Sequence, residues 1–195
     1  MPHSIHRSLK IALGAVLLSA TAIPLGSHPV FAQEKTVTVG GAPMYPSKTI
    51  VQNALNSKDH TTLVAAVKAA GLVDTLSGPG PFTVFAPTNA AFDKLPPGTA
   101  DTLVKPENKA TLTKILTYHV VPGKVSAADL AAKIKSGEGK AMLKTVEGEE
   151  LTAEMSGGKV LLVDAKGGKS TVTIADVNQS NGVIHVVDTV LMPKS

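Results

Sequence analysis

The stretch Pro81–Phe92, PFTVFAPTNAAF, constrains this chain more than any other. Phe82, Val84 and Ala86 alternate with Thr83 and Phe85, which predicts a strand with bulk on both faces. Such a strand is expected to be covered on both sides. Pro87 has no N–H to give to a ladder and ends it. Thr88 then suits an N-cap for a short helix over residues 89–94. Every phenylalanine after residue 32 lies here, at Phe82, Phe85 and Phe92. The large anchors of the core are therefore gathered in one strand–turn–helix unit.

The first residues read as a targeting segment. Arg7 and Lys10 precede an apolar run from Ile11 to Ile23, and Val30-Phe31-Ala32 offers a small residue at a cleavage point. This pattern predicts a secretory signal peptide over residues 1–32, cleaved after Ala32, and a secreted or periplasmic protein. The run is too short to span a bilayer. The chain contains no cysteine to carry a lipid, so no membrane anchor is expected.

The remaining 163 residues suit one domain with a sizeable core. The formal charge of +4 becomes +2 once Arg7 and Lys10 are removed. What remains has no arginine and no tryptophan, so it lacks the usual forks for phosphate and platforms for bases. Nucleic acid is not an expected partner. Export without disulfides fits a bacterial protein whose core is large enough to do without them.

Residues 33–45, with Gly40, Gly41 and Pro43, read as a short arm, and the domain is expected over 46–195. Ser47 is the expected cap of a helix carrying Ile50, Val51, Ala54 and Leu55. A second helix is expected over 61–70, with Leu63, Val64 and Val67 inward and Gly71 at its end. Pro106 and Glu107 begin a third, whose stripe runs Leu112, Ile115, Leu116 and, one turn further, His119. Ser126 and Asp129 have capping-box spacing for a fourth. Residues 142–146, 150–155, 160–164 and 171–177 then read as antiparallel strands, separated by Gly148, Gly157-Gly158 and Gly167-Gly168. Asn178 to Gly182 turns the chain into the last strand. Helices first and strands afterwards predict an α+β domain.

No reaction chemistry stands out. Gly168-Lys169-Ser170 has the end of a phosphate loop, but the full pattern needs glycine where Val163 stands. No serine sits in a nucleophile elbow. Past residue 32 the histidines are His60, His119 and His185, with no pair at metal-ligand spacing. The acidic run Glu147, Glu149 and Glu150 falls at a turn. Neither an enzyme, nor a metal, nor a cofactor is expected.

Three stretches together carry a resemblance. Pro81–Phe92 resembles the first signature of the fasciclin-type domain, Leu116–Val121 its tyrosine–histidine motif, and Asn181–Pro193 its second signature. The order and spacing match from about Pro46 to the C-terminus, as in single-domain exported bacterial members. The resemblance implies an antiparallel β-sandwich or wedge with several helices packed along one side. It implies that Thr83, Phe85, Ala86, Pro87, Asn89, Phe92, His119, Asn181, Gly182 and His185 are motif residues that hold the fold. It also implies an adhesion surface at Tyr118, His119, Asp176 and Val177. The last two match an Asp-Ile pair implicated in integrin contact in animal relatives.

Periodicity turns His119 inward, as a buried and hydrogen-bonded ring. His185 shares a strand face with Val183 and Val187. Tyr118 and Asp176 are expected nearer the surface, Asp176 at a junction of strand and turn. The function implied is an exported adhesion or matrix-interaction module with a protein or polysaccharide partner. The alternative is a carrier of a small apolar ligand such as a carotenoid, against which the low aromatic content speaks.

Overall fold

A computed structural model describes residues 36–194. The expected signal peptide lies outside them. The chain begins with strands β1 (Val37–Val39) and β2 (Ala42–Met44), which pair as a hairpin through Gly40 and Gly41. The expected arm is thus a hairpin, and Val39 and Met44 are buried in the core. Both glycines have positive φ, which lets the chain reverse within two residues.

Helices α1 (Ile50–Ala54), α2 (Thr61–Ala70) and α3 (Val73–Ser77) follow. The cap of α1 is Thr49, not Ser47: its hydroxyl accepts from the Gln52 N–H, and the Gln52 side chain bonds back to the Thr49 N–H. Helix α2 ends where Gly71 adopts the left-handed conformation. Strand β3 (Phe82–Pro87) leads into α4 (Asn89–Asp93), capped by Thr88 through a bond from the Ala91 N–H. Helix α5 (Thr99–Leu103) was not foreseen: it has no buried residue, so no apolar stripe announces it. Pro106 opens a short 3-10 turn, and α6 (Lys109–Tyr118) grows from it.

After β4 (Val120–Pro122), α7 (Ala127–Ser136) starts in the expected capping box of Ser126 and Asp129. Strands β5 (Lys140–Lys144), β6 (Glu150–Ser156), β7 (Lys159–Val163), β8 (Lys169–Gln179) and β9 (Gly182–Val187) complete the domain.

The strands form one sheet in the order β4-β3-β9-β8-β7-β6-β5. All neighbours are antiparallel except β3 and β9, which run parallel with Phe85 opposite His185. Parallel pairing requires a long crossover, and residues 88–181, from α4 to β8, lie between these two strands. The Val146 N–H donates to the Val120 carbonyl at 2.8 Å, so the chain after β5 meets β4 and the sheet is nearly closed. The domain is an α+β wedge.

Strand β3 divides two apolar clusters. Val84 and Ala86 face the first, with Leu63, Leu76, Phe92, Leu112, Leu116 and Ile184 from the helices and β9. Phe85 faces the second, with Tyr118, Leu130 and Ile134 and the inner faces of β5 to β8. Coverage on both sides is what the alternation of Pro81–Phe92 requires. Several helices pack along the first cluster, as expected, and α7 sends Leu130 and Ile134 into the second.

Candidate functional site

Tyr118 closes α6 and is fully buried. Its hydroxyl donates to the Glu150 carbonyl and accepts from the Ala165 N–H, both at 3.1 Å. Burial pushes the phenol up to about 12, partly opposed by the Ala165 N–H. The expectation of a surface position for Tyr118 is corrected. The residue lies one step off the Leu112–Leu116 stripe, and that step turns it into the second cluster rather than into solvent.

His119 is the C-cap of α6 and 2% exposed. Its Nε2 accepts from the Leu191 N–H at 3.0 Å, and its Nδ1 stands 2.8 Å from the Ile115 carbonyl. A backbone amide can only donate, so Nε2 is bare and Nδ1 carries the proton. Burial lowers the ring to about 4, against the Ile115 carbonyl and Asp164, which raise it.

Asp176 does not end a strand. It lies within β8, at register shifts between Ile174 and Val177, with φ +56°. Such a bulge turns side chains out of the regular alternation. The half-buried Asp176 carboxylate therefore accepts from the Ala127 N–H at 2.7 Å, at the first residue of α7. Its own N–H donates to His185 Nδ1 at 3.3 Å. Val177 is 1% exposed and packs in the first cluster, so it offers no surface.

The motif residues meet around residues 123–127. Thr83 Oγ1 donates to the Gly123 carbonyl at 2.7 Å and accepts from the Val125 N–H at 2.8 Å. His185 Nε2 stands 2.9 Å from the Val125 carbonyl, and its ring stacks on Phe85 at 5.6 Å. Because Nδ1 accepts from Asp176, the proton belongs on Nε2. Burial lowers the His185 pKa.

The asparagines act in the same way on the other side. Asn89 Oδ1 accepts from Thr62 N–H at 3.0 Å, and Asn89 Nδ2 donates to the Lys58 carbonyl at 2.9 Å. Asn181 Oδ1 accepts from Ile50 N–H at 3.0 Å, and its Nδ2 donates to the Leu76 and Gly78 carbonyls. At Gly182 a Cβ would collide with the Phe82 carbonyl, so glycine is required where β9 meets β3.

Two features escaped the sequence reading. Asn53 sits buried on the apolar stripe of α1 and bonds to both backbone groups of Tyr45 and to Gln179 Oε1. An amide three residues after Ile50, on the same helix face, was the available signal. The second is a cavity of ≈ 50 Å³ between α1, α2, the hairpin and β3, walled by Val39, Met44, Val67, Ala86 and Ile184 and bordered by His60. That volume is far too small for a long polyene. Among the described residues there is no group of three or more metal-ligating side chains. None of the described helices is long and apolar enough to cross a membrane.

The comparisons agree with this geometry. Residues 58–193 match the family model of the fasciclin domain. Protein sll1483 of Synechocystis sp. is 52% identical over 160 residues, covering 82% of each chain. The immunogenic protein MPB70 of Mycobacterium bovis is 39% identical over 145 residues, covering 72% of this chain and 66% of that protein. Among solved structures, a FAS1 domain pair from the insect cell adhesion molecule Fasciclin I superposes with a TM-score of 0.68 at 22% identity. The match covers 76% of this chain and about half, 52%, of the pair. With its three motifs interlocked as described, this chain belongs to the fasciclin domain family.

Proposed function

We propose that the chain is an exported, non-enzymatic adhesion module that contacts a protein or polysaccharide at a cell surface or in a matrix. The observation that carries this reading is the fold shared, over 76% of the chain, with a cell adhesion molecule. The interior supports it. The motif side chains end on backbone groups as caps and pins, which leaves recognition to the outward faces. Of Tyr118, His119, Asp176 and Val177, Asp176 is the one that is not fully buried, so it is the one of the four that can reach a partner. A second outward feature is the row Met142, Thr152 and Val163 across β5, β6 and β7, in which Met142 is 58% exposed.

The test uses the chain from Gln33 to Ser195, immobilised and offered to cells and to surface polysaccharide. Retention that excess soluble protein abolishes is the expected result. Met142→Glu is expected to reduce retention at least about tenfold, the effect of placing a charge in an apolar contact, while its melting temperature stays at the wild-type value. Normal retention by the variant removes this face from the proposal. A wild-type protein that retains neither cells nor polysaccharide overturns the adhesion reading.

A further inference from the structure

This chain has no cysteine, so methionine thioethers are its oxidisable sulfur. Four of the five methionines lie among the described residues, and the fold treats them differently. Met44 is 3% exposed and belongs to the first cluster. Met192 is half-buried and packs against that cluster. Met142 and Met155 are open to solvent, at 58% and 45%.

Met142 differs from Met155 in its surroundings. Strand β5 turns Ala141 and Leu143 into the second cluster, which leaves Met142 between them on the outward face. Thr152 stands opposite on β6, and Val163 lies beyond Thr152 on β7. The Thr152 hydroxyl donates to the Met142 sulfur at 3.4 Å. A thioether is a weak acceptor, whereas a sulfoxide is polar and its oxygen accepts strongly. Met155 stands opposite Val160, beside the turn at Gly157-Gly158. The fold therefore gives one exposed thioether a neighbouring donor that suits its oxidised form better than its reduced one.

We propose that Met142 is a redox-responsive site, at which hydrogen peroxide converts the outward face of β5 to β7 from apolar to polar and weakens what that face holds. A sulfur lone pair attacks one peroxide oxygen. The O–O bond breaks and an S–O bond forms. The proton on the transferred oxygen passes to the departing hydroxide, which leaves as water. The thioether gives up two electrons and the peroxide accepts them. The Thr152 hydroxyl then donates to the new sulfoxide oxygen. An apolar group of a partner seated on Met142 would be left against a polar one, which is unfavourable. The weakened contact rests on the adhesion reading, whereas the oxidation of Met142 does not.

The experiment treats the chain from Gln33 to Ser195 with hydrogen peroxide and follows each methionine by peptide mass spectrometry. Met142 is expected to be oxidised at least about tenfold faster than Met44, because access governs the rate. In Met155→Leu, oxidation is expected to move the Thr152 side-chain NMR signals and to reduce retention at least about tenfold, with the melting temperature unchanged. A methionine sulfoxide reductase with a thiol reductant is expected to reverse both effects. In Met142→Leu, oxidation at Met155 is expected to leave the Thr152 signals in place. Met142 oxidised no faster than Met44, or Thr152 signals that do not respond, overturns the site. Retention that survives complete oxidation of Met142 overturns its part in the contact. A wild-type chain that retains nothing before treatment overturns the adhesion reading instead, and the order of oxidation and the Thr152 signals still decide the site.

Discussion

His119 and Tyr118 are adjacent in sequence and face different clusters, and each ends on backbone atoms. Removing the imidazole in His119→Ala leaves the Leu191 N–H and the Ile115 carbonyl without their partner and opens a void in a fully buried place. The expected loss is about 3 kcal/mol, read as a shift in the midpoint of urea unfolding. Tyr118→Phe keeps the ring and strands only the Glu150 carbonyl and the Ala165 N–H, so about 1–2 kcal/mol is expected. A His119→Ala protein that unfolds with wild type but fails in retention assays would reassign His119 from packing to contact.

Several helix ends are satisfied from elsewhere in the chain. Helix α2 has no side-chain cap of its own, and Asn89, at the start of α4, accepts from its Thr62 N–H. Asn181 takes the Ile50 N–H of α1 and gives to carbonyls at the end of α3. Asp176 takes the Ala127 N–H of α7. A first-turn amide without a partner costs on the order of 1 kcal/mol, and a negative charge there also favours the helix dipole. Asn89→Ala is therefore expected to destabilise by about 1–2 kcal/mol and to speed exchange of the Thr62 amide. Slowed or unchanged exchange at Thr62 would show that Asn89 is not its cap. Asp176→Ala is expected to cost about 1–2 kcal/mol, more than an exposed turn residue would, because alanine loses the cap and must also hold φ +56°. Asp176→Asn keeps an acceptor and tolerates the left-handed region, so it is expected to recover most of that loss.

At the scale of the whole domain, three buried histidines make stability depend on pH. Burial depresses His60, His119 and His185 alike. Between about 6.5 and the folded value the unfolded chain binds the protons and the folded one does not, so acid favours unfolding. The stability these rings contribute is complete above about pH 6.5 and is lost as pH falls towards 4. His119 alone, lowered from 6.5 to about 4, accounts for about 3 kcal/mol of that slope. Urea unfolding measured from about pH 7.5 down to about pH 4 is expected to show this decline, and His119→Leu to flatten it. A wild-type profile that is level across this window would contradict the neutral, buried state of the rings. The ion pairs Lys94–Asp188, Lys114–Glu147 and Lys140–Glu154 have Nζ–O separations of 3.3–3.7 Å on partly exposed side chains, so salt is expected to change stability little.

Local patterns made much of this legible in advance. The two-faced alternation of Phe82–Ala86, the stop at Gly71, the Thr88 cap and the Ser126–Asp129 box each depend on neighbours in sequence, and each stands where it was expected. The inward turn of His119 also follows from helical spacing, since 112, 115, 116 and 119 share a face. Tyr118 could not be read this way: whether a residue off the stripe meets solvent depends on whether another layer lies there, and β5 to β8 supply one. The hairpin at Gly40-Gly41 was hidden because its strands have three residues each, too few to show a period. The bulge at Asp176 arises from pairing β8 with β9, and nothing within residues 171–177 specifies it. The parallel join of β3 to β9, and the capping of one element by a side chain from another, unite residues separated by as much as 131 positions. Propensity and periodicity act over a few residues, whereas such contacts are set by how the layers pack. That is why the elements were readable from the chain and the partners of its motif side chains were not.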